Sequence, residues 1–246
     1  MLVVNPAAQR PGNNGGAFRI ARTYPGINLQ ITGDHGLGPL GCFDDASMQP
    51  GFVVGMHEHR DDEILTYMRR GQMVHTDSHG SSATVTPTHL MMMNAGRTFF
   101  HEETNPRTST EPVELLQIFI RPSAPNLPPA VQFHTFPEAV PTDGWRLVGG
   151  PAEAAAPLTI RSQVWVHDLR LTDAETALPD LQGLTGYLHV FRGTVTIPGH
   201  HLTLKTGDGL VIENEAIQVA AQGPADLVFF RLDRQAAYTR TGKYSG

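Results

Sequence analysis

The sequence predicts an all-β protein built from two tandem antiparallel β-barrels that pack together. Its 246 residues include 25 Gly and 19 Pro, a turn-rich composition that suits many short strands. Short β-rich segments alternate with Gly, Pro, Asn and Ser turn signals, and they lack helical periodicity. Regular strand–turn spacing of this kind is typical of an antiparallel sandwich or barrel.

The first half divides into an arm and a barrel. Residues 1–50 are rich in Gly, Pro and Asn, and we expect an N-terminal arm that contributes strands to the barrels. Residues 51–122 are expected to form the N-terminal barrel, with hairpin turns at Gly71 and Gly80. Its strands are predicted near 52–59, 63–69, 72–77, 83–86, 89–94, 99–104 and 113–120.

The second half follows a proline-rich segment. The run RPSAPNLPPA, from Arg121 to Ala130, contains four prolines, so residues 123–140 are expected to form a linker or an extended crossover. Residues 141–246 form the predicted C-terminal barrel, interrupted by a short helix or loop at DAETALPDL, residues 173–181. Its strands are predicted near 144–149, 158–160, 163–171, 184–191, 193–197, 201–204, 209–213, 216–221 and 225–232.

The two halves echo one another weakly. YMRRGQMV (67–74) and HVFRGTVT (189–196) each read as a strand, a tight Arg-Gly turn and a returning strand. The two turn glycines, Gly71 and Gly193, lie 122 residues apart, close to half the chain. We interpret the echo as a tandem duplication of one barrel, with chance similarity between short hairpins as the alternative.

Composition and charge argue against several classes of protein. A net charge of −6 argues against direct binding to nucleic acid or to an anionic membrane. Apolar runs stay well short of the roughly 20 residues that a membrane helix needs, and the N-terminal residues do not resemble a secretory signal. Cys42 is the only cysteine, which fits a reducing compartment, so we expect a cytoplasmic protein.

Two pairs of polar residues are the candidate functional residues. Alternate residues of a strand share a face, so His57 and His59 in GMHEHRDDE point the same way, and so do His101 and Glu103 in RTFFHEETN. Three imidazoles and one carboxylate suit a first-row transition metal with one or two open positions. A structural zinc site usually closes its coordination shell and often uses Cys. The sequence therefore predicts a metal centre that is open to chemistry.

These residues carry a resemblance to a known family. The run from Gly51 to Glu63 fits the first cupin motif, G-x5-H-x-H-x3-E, and the closing Gly71 comes one residue later than in most cupins. With H-x-DS-x-G at 75–80 and AG-x4-H-x-E-x-N at 95–105, the chain resembles the pirin family. The resemblance implies a bicupin, two jelly-roll barrels of the cupin type with a single metal in the N-terminal barrel.

The resemblance also implies a ligand set. Pirin-like proteins take the acidic ligand from the second motif, which gives His57, His59, His101 and Glu103 here. Most cupins take it from the first motif, which here would be Glu63, and strand parity does not exclude that choice. We expect Glu63 to accept a hydrogen bond behind the ligands or to lie at the barrel rim. We expect Glu102 to face away from the metal.

The implied function is enzymatic. Some pirin-like proteins resemble quercetinases, which open the central ring of a flavonol with O2 and release carbon monoxide. The resemblance implies a dioxygenase of the quercetin 2,3-dioxygenase type, acting on a small flavonol-like aromatic substrate with Glu103 as general base. One divalent transition metal per chain is expected, iron first, then Ni, Cu, Mn, Co or Zn. The alternative is a metal- or redox-sensing regulatory or binding protein with a protein partner and no catalytic turnover.

The remaining histidines have other expected roles. His75, His79 and His89 are expected to be surface or hydrogen-bonded residues rather than ligands. His189 occupies the equivalent region of the second barrel without a second imidazole, so we expect no metal there. Two departures from the family pattern, Glu58 and Phe100, lie beside the ligands and bear on substrate choice.

Overall fold

A computed structural model of the chain describes residues 1–13, 15–29 and 33–246, so Asn14 and residues 30–32 of the expected arm lie outside the described residues. Within these ranges the chain is almost entirely β, which confirms the predicted class. The first twelve strands are β1 (Leu2–Asn5), β2 (Gly12–Asn13), β3 (Phe18–Thr23), β4 (Leu40–Met48), β5 (Val53–His59), β6 (Glu63–Arg70), β7 (Met73–Asp77), β8 (Ser82–Val85), β9 (His89–Asn94), β10 (Phe99–Thr104), β11 (Val113–Ile120) and β12 (Ala130–Thr135).

Ten further strands make up the rest of the chain. They are β13 (Arg146–Gly150), β14 (Leu158–Thr159), β15 (Val164–Thr172), β16 (Glu175–Ala177), β17 (Thr185–Arg192), β18 (Thr194–Ile197), β19 (Leu202–Lys205), β20 (Gly209–Glu213), β21 (Gln218–Ala221) and β22 (Pro224–Leu232). Three short 3-10 helices span Ala7–Gln9, Ile27–Leu29 and Ala152–Ala154. None of the described helices is long and apolar enough to cross a membrane.

Each half of the chain forms a sandwich of a large and a small sheet. In the first unit the seven-stranded sheet has the order β12-β9-β6-β11-β4-β3-β2, and the four-stranded sheet has the order β5-β10-β7-β8. The second unit repeats this plan with β1-β20-β17-β22-β15-β13-β14 and β16-β21-β18-β19. The described strands pair as separate sheets, so each cupin-like unit is an open sandwich rather than a closed hydrogen-bonded ring.

The two large sheets pack against each other at the centre of the molecule. Phe43 on β4 stacks on Phe230 of β22, with 5.7 Å between the ring centroids, and Tyr67 on β6 donates a hydrogen bond to Asp168 on β15. The central strands of these sheets, such as β6, β11 and β22, are therefore covered on both faces. That is why β11, VELLQIFI, reads as a nearly continuous apolar run rather than as a strict alternation.

The segment expected as a linker carries a strand. β12 lies within residues 123–140 and pairs with β9 along its whole length. Pro128 and Pro129 precede the strand, so they remove no donor from its ladder, and Val131 and Phe133 pack against the core. Residues 173–181, expected as a short helix or loop, contain the three-residue strand β16, which pairs with β21.

The N-terminal strand pairs with the second unit, and the C-terminal residues contact the first unit. β1 comes from the predicted arm, yet it pairs with β20 at the edge of the second unit's large sheet. The tail after β22 returns to the first unit, where the backbone N–H of Lys243 donates to the carbonyl of Arg60. The tail therefore ends beside the strands that carry the predicted metal ligands.

Candidate metal centre

The four-stranded sheet of the first unit carries the predicted site residues. β10 is central, and its pairing with β5 puts His101 directly opposite His57. Its pairing with β7 puts the same His101 opposite Asp77. Side chains opposite one another in an antiparallel pair share a face. The inner face of this sheet thus gathers six polar side chains: His57 and His59 on β5, His101 and Glu103 on β10, and His75 and Asp77 on β7.

Three imidazoles converge at one point. One ring nitrogen from each of His57, His59 and His101 lies within 4.8 Å of the others. Among the described residues, no other group of three or more His, Cys, Asp or Glu side chains brings its ligand atoms this close together. The Nε2 atoms of His57 and His59 are 3.0 Å apart. His59 and His101 are buried, whereas His57 is partly exposed at the cavity. The structure therefore brings together all three histidines that the sequence proposed.

Both histidines of β5 turn Nδ1 towards an acceptor and Nε2 towards each other. Nδ1 of His57 lies 2.9 Å from the carbonyl oxygen of Gly55, and a carbonyl can only accept, so Nδ1 carries the proton. Nδ1 of His59 faces the buried carboxylate of Asp62 at 3.5 Å, which favours the same tautomer.

A register shift opposite Glu102 places Gly55 and Met56 of β5 against one residue of β10, which is a β-bulge beside the site.

His101 is oriented by a chain of two further side chains. Nε2 of His75 lies 3.0 Å from Oδ2 of Asp77, so His75 donates there and its Nδ1 is left as an acceptor. Nδ1 of His101 lies 3.3 Å from Nδ1 of His75 and donates a hydrogen bond to it. Burial lowers the pKa of His75 and lowers the pKa of His101 to about 2, so both rings are neutral near pH 7. Nε2 of His101 keeps its lone pair.

These donor atoms fit a metal ion. Nε2 of His101 is buried and has no hydrogen-bond partner among the described residues. The Nε2 atoms of His57 and His59 approach to 3.0 Å, close enough to be joined by one proton or by one cation. Ligands about 2.1 Å from one ion and at right angles to each other would be separated by about 3 Å. Burial also lowers the pKa of His57, which keeps the ring in the neutral form that a metal needs.

Glu103 lies beside the cluster but not within it. Its Oε1 is 3.9 Å from Nδ1 of His101, and it accepts a hydrogen bond of 3.3 Å from Nε2 of Gln117. It is not among the residues whose ligand atoms lie within 4.8 Å of one another. Burial raises the pKa of Glu103 to about 7, with the Gln117 hydrogen bond opposing that rise. Its role as a ligand stays a prediction.

A cavity of about 280 Å³ opens in front of the histidines. Its wall is mostly apolar, and its polar side chains include the Arg22–Asp44 ion pair, which is bidentate with bonds of 2.8 and 2.7 Å. The volume is near the lower end of the roughly 300–1,000 Å³ that is common for small-molecule sites. The apolar and aromatic lining comprises Phe18, Ile20, Ala46, Met48, Val54, Leu115, Phe119 and Tyr244, with His57, His59, Glu103 and Gln117 at the metal side.

Glu63, expected to accept a hydrogen bond behind the ligands or to lie at the barrel rim, is placed between the two units. It is fully buried, and its Oε1 accepts hydrogen bonds of 2.9 and 2.7 Å from Nε and Nη2 of Arg161, which belongs to the second unit. Asn94 also donates to it. Glu63 therefore joins the two units rather than facing the histidines.

His75, Asp77 and Tyr244 were not assigned to this site from the sequence. His75 was expected at the surface or in a hydrogen bond, and the structure shows it fully buried and hydrogen-bonded behind His101. The H-x-D spacing of His75 and Asp77 was a usable signal, because the two side chains share a face. Tyr244 at the cavity had no local signal, since it comes from the end of the chain.

Known proteins with the same plan have been found by sequence and by structure. A family model described as Pirin matches residues 30–120, and one described as Quercetinase C-terminal cupin domain matches residues 147–232. A quercetin 2,3-dioxygenase of Escherichia coli (strain K12) is 29% identical over 234 residues, which covers 94% of this chain and 99% of that protein. A pirin-like protein of Caulobacter vibrioides is 30% identical over 194 residues, covering 78% of this chain and 82% of that protein.

The structural likeness extends over the whole chain. The crystal structure of the bacterial pirin YhhW from Escherichia coli in complex with nickel(II) has a TM-score of 0.80 at 28% identity and covers 94% of this chain and 99% of that one. Two tandem sandwiches with three convergent imidazoles in the first define a metal-binding bicupin. Within that class, the chain belongs to the pirin family. The histidine cluster and the nickel-bound relative together support a divalent metal at this centre.

Proposed function

We propose that this protein is a dioxygenase for flavonol-like aromatic substrates, of the quercetin 2,3-dioxygenase type. The observation that carries the proposal is the cluster of three imidazoles that opens onto a mostly apolar cavity with Glu103 on its wall. The relative from Escherichia coli that is named quercetin 2,3-dioxygenase matches nearly the full length of both chains, which supports the same assignment.

His57, His59, His101 and Glu103 are the residues that we propose to hold one metal ion per chain, with iron as the native metal. A divalent ion bound there would act as a Lewis acid that lowers the pKa of a coordinated substrate hydroxyl. Glu103 would accept the proton from that hydroxyl, because a carboxylate beside a bound metal can leave the ion, act as a general base and return, and Glu103 lies on the cavity wall.

The cavity has features that suit a flat aromatic ring. Phe18, Ile20, Met48 and Leu115 offer apolar surface, which displaces water from the reacting centre. The ion pair between Arg22 and Asp44 provides a fixed polar group that can orient a hydroxylated ring.

The test is aerobic turnover of quercetin. Protein loaded separately with Fe, Ni, Cu, Mn or Co should consume O2 and release carbon monoxide with at least one metal. Elemental analysis should give about one equivalent of metal per chain. The double variant His57→Ala/His59→Ala should lose both metal and turnover. Absence of O2 uptake with every metal would favour the regulatory alternative.

A further inference from the structure

The C-terminal tail, defined here as residues 233–246, builds part of the metal cavity. After β22 the tail leaves the second unit, and the backbone N–H of Thr239 donates to the carbonyl of Pro122. The backbone N–H of Lys243 then donates to the carbonyl of Arg60, one residue after β5. The tail therefore ends next to the strand that carries His57 and His59.

The end of the tail is held by buried groups of the first unit. Asp62 is fully buried and accepts backbone hydrogen bonds from Tyr244 and Ser245, at 3.2 and 2.9 Å. Nε of Arg121, also buried, donates to the carbonyl of Ser245 at 2.6 Å. A Cβ atom at Gly41 would lie only 2.5 Å from that carbonyl oxygen, so a larger residue there would displace the tail. These contacts fix the position of the tail backbone.

The same carboxylate connects the tail to the metal centre. Asp62 faces Nδ1 of His59 at 3.5 Å while it accepts from the tail backbone. This places the Tyr244 ring 4.9 Å from the His59 ring and stacked on Phe119, with centroids 5.3 Å apart and planes inclined by 25°. The Arg22 guanidinium lies 5.9 Å from the Tyr244 ring. Tyr244 is only half-buried, and it lines the cavity.

We propose that Tyr244 is a substrate-positioning residue, which gives the metal cavity an aromatic wall against which a flat, hydroxylated aromatic substrate stacks. The inference rests on the proposed function for the class of ligand. Tyr244, Phe119 and His59 form one aromatic surface, and aromatic rings favour offset stacking on such surfaces. Because the ring reaches the cavity from the tail, substrate affinity depends on a segment that contributes no metal ligand.

Binding in the absence of O2 tests this proposal without turnover. Metal-loaded wild-type, Tyr244→Ala and Tyr244→Phe proteins are titrated with quercetin under anaerobic conditions, and metal content is measured in the same samples. Tyr244→Ala should raise the Kd about tenfold, whereas Tyr244→Phe, which keeps the ring, should stay within about twofold. Metal content should be equal in all three proteins.

Gln235→Ala is the matched control. Gln235 is exposed, lies in the same tail and does not line the cavity, so its loss should leave the Kd within about twofold of wild type. An unchanged Kd in Tyr244→Ala, or loss of metal from that variant, would overturn the inference and leave the proposed function standing. Quercetin binding without O2 uptake would refute the dioxygenase, while the order of the four Kd values would still decide the role of Tyr244. A wild-type protein that binds no quercetin would overturn both.

Discussion

Asp77 acts on the metal centre through two imidazoles. Its carboxylate fixes the proton on Nε2 of His75, which makes Nδ1 of His75 the acceptor for His101. Asparagine at this position can present an N–H instead and reverse the order of donors. Asp77→Asn should therefore lower metal affinity about 10–100-fold, as measured by competition with a chelator. Thr76→Ala, on the outer face of the same strand, should leave affinity unchanged, and equal affinities in the two variants would contradict this orienting role.

Glu103 and its neighbour Glu102 provide a second test at the scale of single residues. If Glu103 takes the substrate proton, Glu103→Gln should reduce turnover by about 100-fold or more while retaining most of the metal, because three imidazoles remain. Glu102→Gln should change neither quantity, since its side chain has the opposite strand parity. Turnover is followed as O2 uptake and metal content by elemental analysis. Full activity in Glu103→Gln, with loss of metal in Glu63→Gln, would favour the general cupin arrangement instead.

One contact between the two units is an ion pair with a buried carboxylate. Glu63 at the start of β6 is fully buried and depends on Arg161, which precedes β15 and is itself partly exposed. Burial raises the pKa of Glu63, and the Arg161 hydrogen bonds and charge oppose that rise.

Arg161→Ala should leave this carboxylate buried without its main partner. We expect the free energy of unfolding to fall by about 2–4 kcal/mol in urea denaturation, with metal content unchanged. Arg97→Ala, an exposed arginine before β10, is the matched control and should change stability by less than about 0.5 kcal/mol. Loss of metal from Arg161→Ala would show that Glu63 belongs to the metal centre after all.

The two-unit plan has a consequence for acid stability of the whole molecule. His189 lies in the second unit's large sheet and is packed edge-on against Phe43 of the first unit, with 4.8 Å between the ring centroids. Burial lowers the pKa of His189 from 6.5 to about 3, so the unfolded chain binds this proton more readily than the folded one. The stability that the neutral ring contributes is complete above pH 6.5, and it is lost as pH falls towards 3.

His189→Leu removes this proton linkage. Between pH 7.5 and pH 5 the metal-free wild-type protein should lose about 2 kcal/mol more stability than His189→Leu does, as measured by urea unfolding at both pH values. His201→Asn, at an exposed turn position with positive φ, should lose as much as wild type. Parallel losses in all three proteins would show that His189 does not titrate on unfolding.

Much of the candidate site could be predicted from local sequence. Strand alternation put His57 and His59 on one face of a strand, and His101 and Glu103 on one face of a second strand. The structure brings the three histidines together. Alternation is a property of the backbone, so it needs no tertiary information. The same local rules located the other strands and the hairpin turns at Gly71 and Gly193, which both have positive φ, but they gave no position for β1 to β4, β12 or β16.

The sequence by itself determined the all-β class, the two-unit plan and the histidine cluster, because periodicity, turn residues and ligand spacing act over a few neighbouring residues. Tertiary structure alone decided that β1 pairs with β20, that Glu63 binds Arg161 and that Tyr244 reaches the cavity. Each of these contacts joins residues far apart in the chain, and its partner depends on how the two units pack. Local sequence carries no record of that packing.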